Sequence, residues 1–213
     1  MDRKYQIQKF CSYNSVSRET IESLEIYENM LLYENKKLNL VGKSTIKDIW
    51  IRHFLDSYQV IDLIEESDKR IMDLGSGAGF PGIVVALGIK EKRIPLKINL
   101  LEKSRKKTVF LKKVISKLNI NVEVINEDVM QKSFELRENV FMARAFKPLQ
   151  VILELIHNNA KNWKKILIFQ GKTWEDELLR VSKTWDIKYK QRQSITSNDS
   201  VILEIKEIKK KIE

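Results

Sequence analysis

Two periodicities divide this chain. Through about residue 65 the apolar positions recur at three- and four-residue spacing, as on one face of a helix. In SVSRETIESLEIYENMLLYENKKLNL, Ser17 stands as an N-cap with Glu19 in the first turn, and Ile21, Leu24, Met30 and Leu31 follow at helical spacing. STIKDIWIRHFLDSYQVIDLI predicts a second helix with Ile49, Trp50, Phe54, Ile61 and Ile64 on its buried face. EESDKR reads as a polar connection. From Arg70 onward short β-rich runs alternate with helical ones. RIMDL, LKINLLE, NVEVIN, VFMARA and KILIFQ are the expected strands, with helices through IVVALGI, from Ser104 to Leu118 and around LQVILELIHNNA. Strand, helix, strand repeated in this way predicts a parallel sheet with right-handed crossovers and helices on both faces. WDIKYKQRQSI and SVILEIKEIKK, separated by TSND, predict a terminal antiparallel hairpin. The expected fold is α/β: a Rossmann-like, mostly parallel seven-stranded sheet closed by a C-terminal hairpin. A small helical segment, 1–68, is expected to pack on a 69–213 core as part of one structural domain.

Composition narrows the class. A chain of 213 residues, 43% of them hydrophobic, supports one substantial core. No apolar run approaches the roughly 20 residues that cross a bilayer, and MDRKYQIQKF lacks the apolar stretch of a secretion signal. The expectation is a cytoplasmic monomer with no membrane partner. Cys11 is the single cysteine, which excludes an internal disulfide and a cysteine-based zinc cluster, so no metal is expected. The net charge of +10 is unevenly spread. Met1 to Lys69 carries ten Lys/Arg against twelve Asp/Glu, and Arg70 to Glu213 carries twenty-nine against seventeen, so the parts bear −2 and +12. Such a localised surplus fits a polyanionic partner, nucleic acid ahead of a membrane. On charge alone, a lysine-rich compositional bias with no partner fits as well.

RIMDLGSGAGFPG, Arg70 to Gly82, holds four of the chain's seven glycines in eight positions, directly behind the first expected strand. Open α/β sheets bind ligands at the carboxyl ends of strands beside the topological switch point. Gly75, Gly77 and Gly79 permit a ligand to approach the backbone closely there. Gly77, Gly79 and Gly82 also satisfy G-x-G-x-x-G, and Glu102 stands twenty residues after Gly82, where a dinucleotide site has its ribose-binding acid. Two details favour S-adenosylmethionine instead. Gly75, not Gly77, directly follows the strand, and Pro81 falls where the helix begins, offering no N–H to an anion. Parallel units closed by a hairpin agree with a methyltransferase that binds this cofactor. Glu102, ending the second strand, then accepts hydrogen bonds from the ribose diol, and the backbone around Gly75 faces the amino acid end. A dinucleotide-binding oxidoreductase and a non-catalytic RNA-binding module stay open as alternatives.

NLVGKSTIKDIWIRHFLDS, IMDLGSGAGFPGI, LLEKSRKKTVFLKKV and ARAF, in this order and spacing, resemble the bacterial 16S rRNA guanine-N7 methyltransferases called RsmG, formerly GidB. The likeness runs from about Leu31 to Gly171. The glycine turn recurs across methyltransferases, whereas R-H-F-L-D-S and R-A-F are particular to this group. The resemblance implies S-adenosylmethionine as donor and a guanine in the decoding region of 16S rRNA, free or in the small ribosomal subunit or its precursor, as acceptor. It also implies a cofactor pocket at Gly75, Phe80, Val129, Met130 and Arg144. Two positions depart from the family pattern. FQGKTW places Gln170 before Gly171 and Lys172 after it, where members carry Lys-Gly, and Asp128 stands where many have an arginine.

Guanine N7 has an exposed lone pair and no proton to remove, so positioning does most of the work. The chain duly lacks an obvious His/Cys dyad, its only histidines being His53 and His157. Arg144 is the candidate catalytic residue, orienting the cofactor carboxylate or donating to guanine O6, with a structural salt bridge as the plainer reading. Arg52 and Asp56, four apart, have the spacing of an intrahelical ion pair. Arg52 and His53 are candidates to touch RNA, set against a helix docked through a buried hydrogen-bond network. From Lys103 to Lys117 there are seven basic residues and no acidic ones, and Phe110, Leu111, Val114, Ile115 and Leu118 form an apolar stripe. One face therefore packs, and the other is free for phosphate or for solvent. Lys103, Arg105, Lys106, Lys107 and, after the fifth strand, Lys172 are the candidate RNA contacts.

Overall fold

In the computed structural model, which describes residues 2–131 and 134–211, the first third forms α1 (Arg3–Tyr13) and α2 (Arg18–Leu38). Ser17 caps α2 as its position predicts, its side chain accepting from the Thr20 amide. The next expected helix is not one α-helix. Its place is taken by a 3-10 turn at Ile46–Asp48, a π-helical segment at Trp50–Leu55, the short α3 (Asp56–Tyr58) and a second 3-10 turn at Ile61–Leu63. The apolar face is nonetheless the expected one, since Ile49, Trp50, Phe54, Ile61 and Ile64 are all buried. In π-helical winding the backbone bond reaches five residues rather than four. The ion pair expected between them does not form; Asp56 pairs with Arg144.

The sheet runs in the order β3-β2-β1-β4-β5-β7-β6. Its strands are β1 (Arg70–Leu74), β2 (Lys97–Leu101), β3 (Val122–Ile125), β4 (Val140–Arg144), β5 (Lys165–Gln170), β6 (Trp185–Gln193) and β7 (Val201–Lys210). The first five pair in parallel, and β7 enters antiparallel between β5 and β6. All seven coincide with the expected runs. The crossovers are α4 (Gly82–Lys92), α5 (Arg105–Leu118), α6 (Leu149–Asn159) and α7 (Trp174–Val181). No element was expected at α7, whose first turn holds Glu175, Asp176 and Glu177, where acids favour a helix N-terminus.

Side chains alternate across each strand, so Ile71 and Asp73 face the α4 side and Met72 and Leu74 the α6 side. Two apolar clusters result. One joins α1, α2 and residues 49–64 to α4 and α5; the other joins the opposite face to α6, α7 and Trp185. Polar ties hold the N-terminal segment together and join it to the sheet. The Glu28 carboxylate accepts from Arg3 at 2.8 Å and from the Trp50 indole at 3.0 Å, and Lys165 of β5 pairs with Asp68 at 2.9 Å. Among the described residues no helix is long and apolar enough to cross a membrane.

Candidate functional site: two cavities joined at Arg144

Beyond Leu74 the chain turns through Gly75, Gly77 and Gly79 at φ 69°, 59° and 103°. At Gly75 space excludes a side chain as well, because a Cβ would lie 2.2 Å from Phe146 Cδ2. The Ser76 amide donates to the Leu101 carbonyl at 3.0 Å and the Gly77 amide to Glu102 Oε2 at 2.9 Å, lacing the turn to the end of β2. The other Glu102 oxygen takes the Ser104 amide at 2.7 Å. From the opposite side Tyr27 of α2 donates its hydroxyl to the Ala78 carbonyl at 2.6 Å. The Phe80 ring lies 5.4 Å from Tyr27 and 4.8 Å from His53. Behind Pro81 the Gly82 amide, opening α4, donates to Asp73 Oδ2 at 3.0 Å. A carboxyl of the protein thus fills the helix N-terminus where a dinucleotide would set its pyrophosphate.

The turn walls a cavity of about 490 Å³, completed by Val41 and Gly42, by Glu102, Lys103 and Lys107, by Asp128, Val129 and Met130, and by Arg144 to Lys147. Those last four residues also wall a second cavity of about 300 Å³ at the carboxyl ends of β4 and β5. Arg52, Asp56, Phe169, Gln170 and the Ser194, Thr196 and Ser197 of the β6–β7 turn complete it.

Arg144 stands at the junction. Its Nε donates to Asp56 Oδ2 at 2.9 Å, one terminal nitrogen to His53 Nδ1 at 3.1 Å and the other to the Arg52 carbonyl at 2.7 Å. All three acceptors lie in R-H-F-L-D, so the two segments most particular to the resemblance meet in one ion pair. Thr196 Oγ1 at 2.7 Å and Gln59 Nε2 at 3.0 Å hold the other Asp56 oxygen. The next residue, Ala145, has φ 51°, a left-handed conformation uncommon for a residue with a Cβ, and Phe146 then lies over Gly75.

A guanidinium only donates, so His53 Nδ1 is the acceptor and Nε2 carries the proton, 2.9 Å from Thr45 Oγ1. Burial, reinforced by the Arg144 and Arg52 charges, lowers this imidazole to about 3, leaving it neutral. Asp73 moves the other way. Burial raises its carboxyl to about 7 in spite of the Gly82 amide and the Arg144 charge.

Of the residues expected at the cofactor, Gly75, Gly77, Phe80, Glu102, Val129, Met130 and Arg144 line the larger cavity. Gly79 does not; it sits against Ile83 and the Tyr27 hydroxyl, shaping the turn from behind. Of those expected at RNA, Lys103 and Lys107 line the same cavity, while Arg105 and Lys106 are exposed beside it at the start of α5. Arg52 is exposed and lines the smaller cavity. His53 lines the larger cavity as well; it is 7% exposed and both ring nitrogens are bonded within the protein, so it braces Arg144. Lys172 is exposed past the end of β5 and lines neither cavity, whereas Gln170 and Gly171 line the smaller one. Asp128 lies 3.6 Å from the Lys103 ammonium. Ser194 and Thr196 were not expected at any site. Ser194 read as the end of a strand-like run and Thr196 as part of a polar turn, and the carboxylate they bind is 138 and 140 residues away.

A family model described as rRNA small subunit methyltransferase G matches residues 20–205. The chain is 40% identical over 199 residues to the ribosomal RNA small subunit methyltransferase G of Pelagibacter ubique, spanning 92% of this chain and 93% of that protein. It is 35% identical over 196 residues to the protein of the same name from Rickettsia akari, spanning 92% and 98%. Among solved structures, M. jannaschii TYW2 in complex with AdoMet is similar with a TM-score of 0.54 at 14% identity, over 76% of this chain and 78% of that one. M. capricolum TrmK in complex with S-adenosyl-homocysteine gives 0.51 at 18%, over 70% and 66%. At such identities these two establish likeness of fold.

Proposed function

Because this chain belongs to the rRNA small subunit methyltransferase G family, we propose that it methylates N7 of a guanine in the decoding region of 16S rRNA, acting as a cytoplasmic monomer. The observation that carries the reading is the pair of cavities sharing Arg144 to Lys147, the larger for the donor and the smaller for the acceptor base. The larger fits S-adenosylmethionine by the chemistry of its residues. Glu102 offers carboxylate oxygen to a ribose diol, Leu101 and Val129 offer apolar surface to the adenine, and the glycine turn presents bare backbone to the amino acid end. When bound, this cofactor supplies an electrophilic methyl group. A purine lone pair would take that methyl group with the C–S electrons left on sulfur, so positive charge would pass to the purine with no proton released.

No side chain is therefore required as a base, and the protein's own task is to hold, orient and exclude water. Phe80 and Phe146 supply apolar walls against water. Lys103, Arg105, Lys106 and Lys107 beside the larger cavity and Arg52 at the smaller are assigned to RNA phosphates, with Lys172 extending the set past β5. Incubating the purified protein with methyl-labelled S-adenosylmethionine and either free 16S rRNA or small subunits from an unmethylated strain tests the reading, with the label mapped by mass spectrometry. One methyl group on N7 of a decoding-region guanine is expected. Label on another atom, or none on either substrate, overturns it.

A further inference from the structure

Arg144 raises an electrostatic question. The transfer proposed above moves positive charge from a sulfonium to a purine, and Arg144 is a cation fixed where the two cavities meet. The smaller cavity is lined by three cationic side chains, Arg52, Arg144 and Lys147, and, among the described residues, by one carboxylate, Asp56. Arg52 and Lys147 are exposed, so water and salt screen them. The Arg144 side chain is 21% exposed, and its charge is felt nearby, for it helps to hold His53 neutral. Asp56, whose side chain is 14% exposed, meets Arg144 Nε at 2.9 Å. Its second oxygen is held by the Thr196 hydroxyl and the Gln59 amide. The carboxylate is thus fixed from the N-terminal segment and from the C-terminal hairpin at once. A mere tie between those segments needs only a hydrogen-bond acceptor, whereas a partner for a cation at a charge-moving site needs the negative charge.

We propose that Asp56 is the counter-ion of Arg144, holding the guanidinium in place while cancelling its charge toward donor sulfur and acceptor purine. Asp56 is a positioning residue, since it acts through Arg144, and the inference rests on the donor-cavity reading given above. Its signature is discrimination between S-adenosylmethionine, a sulfonium, and S-adenosylhomocysteine, its neutral thioether product. Calorimetric titration of both ligands into the full chain compares wild type with Asp56→Asn, Asp56→Glu and Arg144→Gln. Asp56→Asn keeps an oxygen toward Arg144 and removes the charge. It is expected to weaken the sulfonium more than the thioether, raising the ratio of their Kd values at least about threefold. Asp56→Glu restores the charge and returns the ratio toward wild type. Arg144→Gln leaves the carboxylate alone and moves the ratio the opposite way, so it decides the matter should Asp56→Asn not fold. Loss of both ligands by the same factor, or a ratio unmoved in Arg144→Gln, overturns the counter-ion role while the donor cavity stands. Wild-type protein that binds neither ligand overturns the donor cavity, and the counter-ion role with it.

Discussion

Asp73 sits under the glycine turn with one oxygen on the Gly82 amide and the other without a partner in the described structure. Burial raises its carboxyl from 3.8 to about 7, so the folded chain keeps this proton over a window in which the unfolded chain has lost it. Its contribution to stability is full below about pH 4 and fades as the pH rises to about 7. Asp73→Asn keeps an acceptor for Gly82 and removes the titration. Relative to wild type it should gain stability across that window, by up to about 1.4 kcal/mol per pH unit, measured by urea unfolding at a series of pH values. A difference that stays constant with pH would disprove this origin. The turn itself was legible, because glycines at alternate positions behind an apolar run have few other uses. The partner of Asp56 was not. Arg52 offered a local match at helical spacing, and nothing in a linear pattern points to a guanidinium 88 residues further on. For the same reason the sequence left His53 open between an RNA contact and a buried network, because one of its two ring bonds reaches Arg144, 91 residues away.

Lys165 shows how an element is anchored. It sits at the first position of β5 with its side chain 2% exposed, donating to the Leu63 carbonyl and pairing with Asp68, whose side chain is wholly buried. Lys165→Met leaves the Asp68 carboxylate buried without its main cation, and a loss of about 3–5 kcal/mol in urea unfolding is expected. Adding Asp68→Leu should recover part of it, since an apolar pair no longer strands a charge. A single-variant loss below about 1 kcal/mol would show that solvent reaches the carboxylate. The seven strands were readable because short β-branched runs bounded by polar residues admit little else. In residues 46–63 the buried face was readable but the winding was not, since apolar spacing alone does not separate α-helical from π-helical hydrogen bonding. The helix α7 escaped because only Leu178 and Val181 are buried in its eight residues, too few to set a period.

Over the whole molecule the charge surplus acquires a place. Phe110, Leu111, Val114 and Leu118 turn one side of α5 into the core, with Ile115 partly covered, and leave Arg105, Lys106, Lys112 and Lys117 exposed on the other. Lys103 and Lys107 carry that basic surface to the lip of the larger cavity. Lys107 is therefore a poor probe of RNA contact alone, since its reversal would also disturb the cavity. Arg105 and Lys106 line neither cavity and lie in the first turn of α5, where acidic residues favour the helix N-terminus. Arg105→Glu with Lys106→Glu should thus fold normally and bind S-adenosylhomocysteine as wild type does. If this face holds phosphates, RNA affinity at low salt should fall about tenfold or more, and the dependence of log K on log salt should become shallower by about 1.5–2, the share of two contacts. Filter binding across a salt series reads both quantities from one experiment. Unchanged affinity and slope would mean that these cations are merely solvated, and that the RNA lies across the other rim, by Arg52 and the β6–β7 turn.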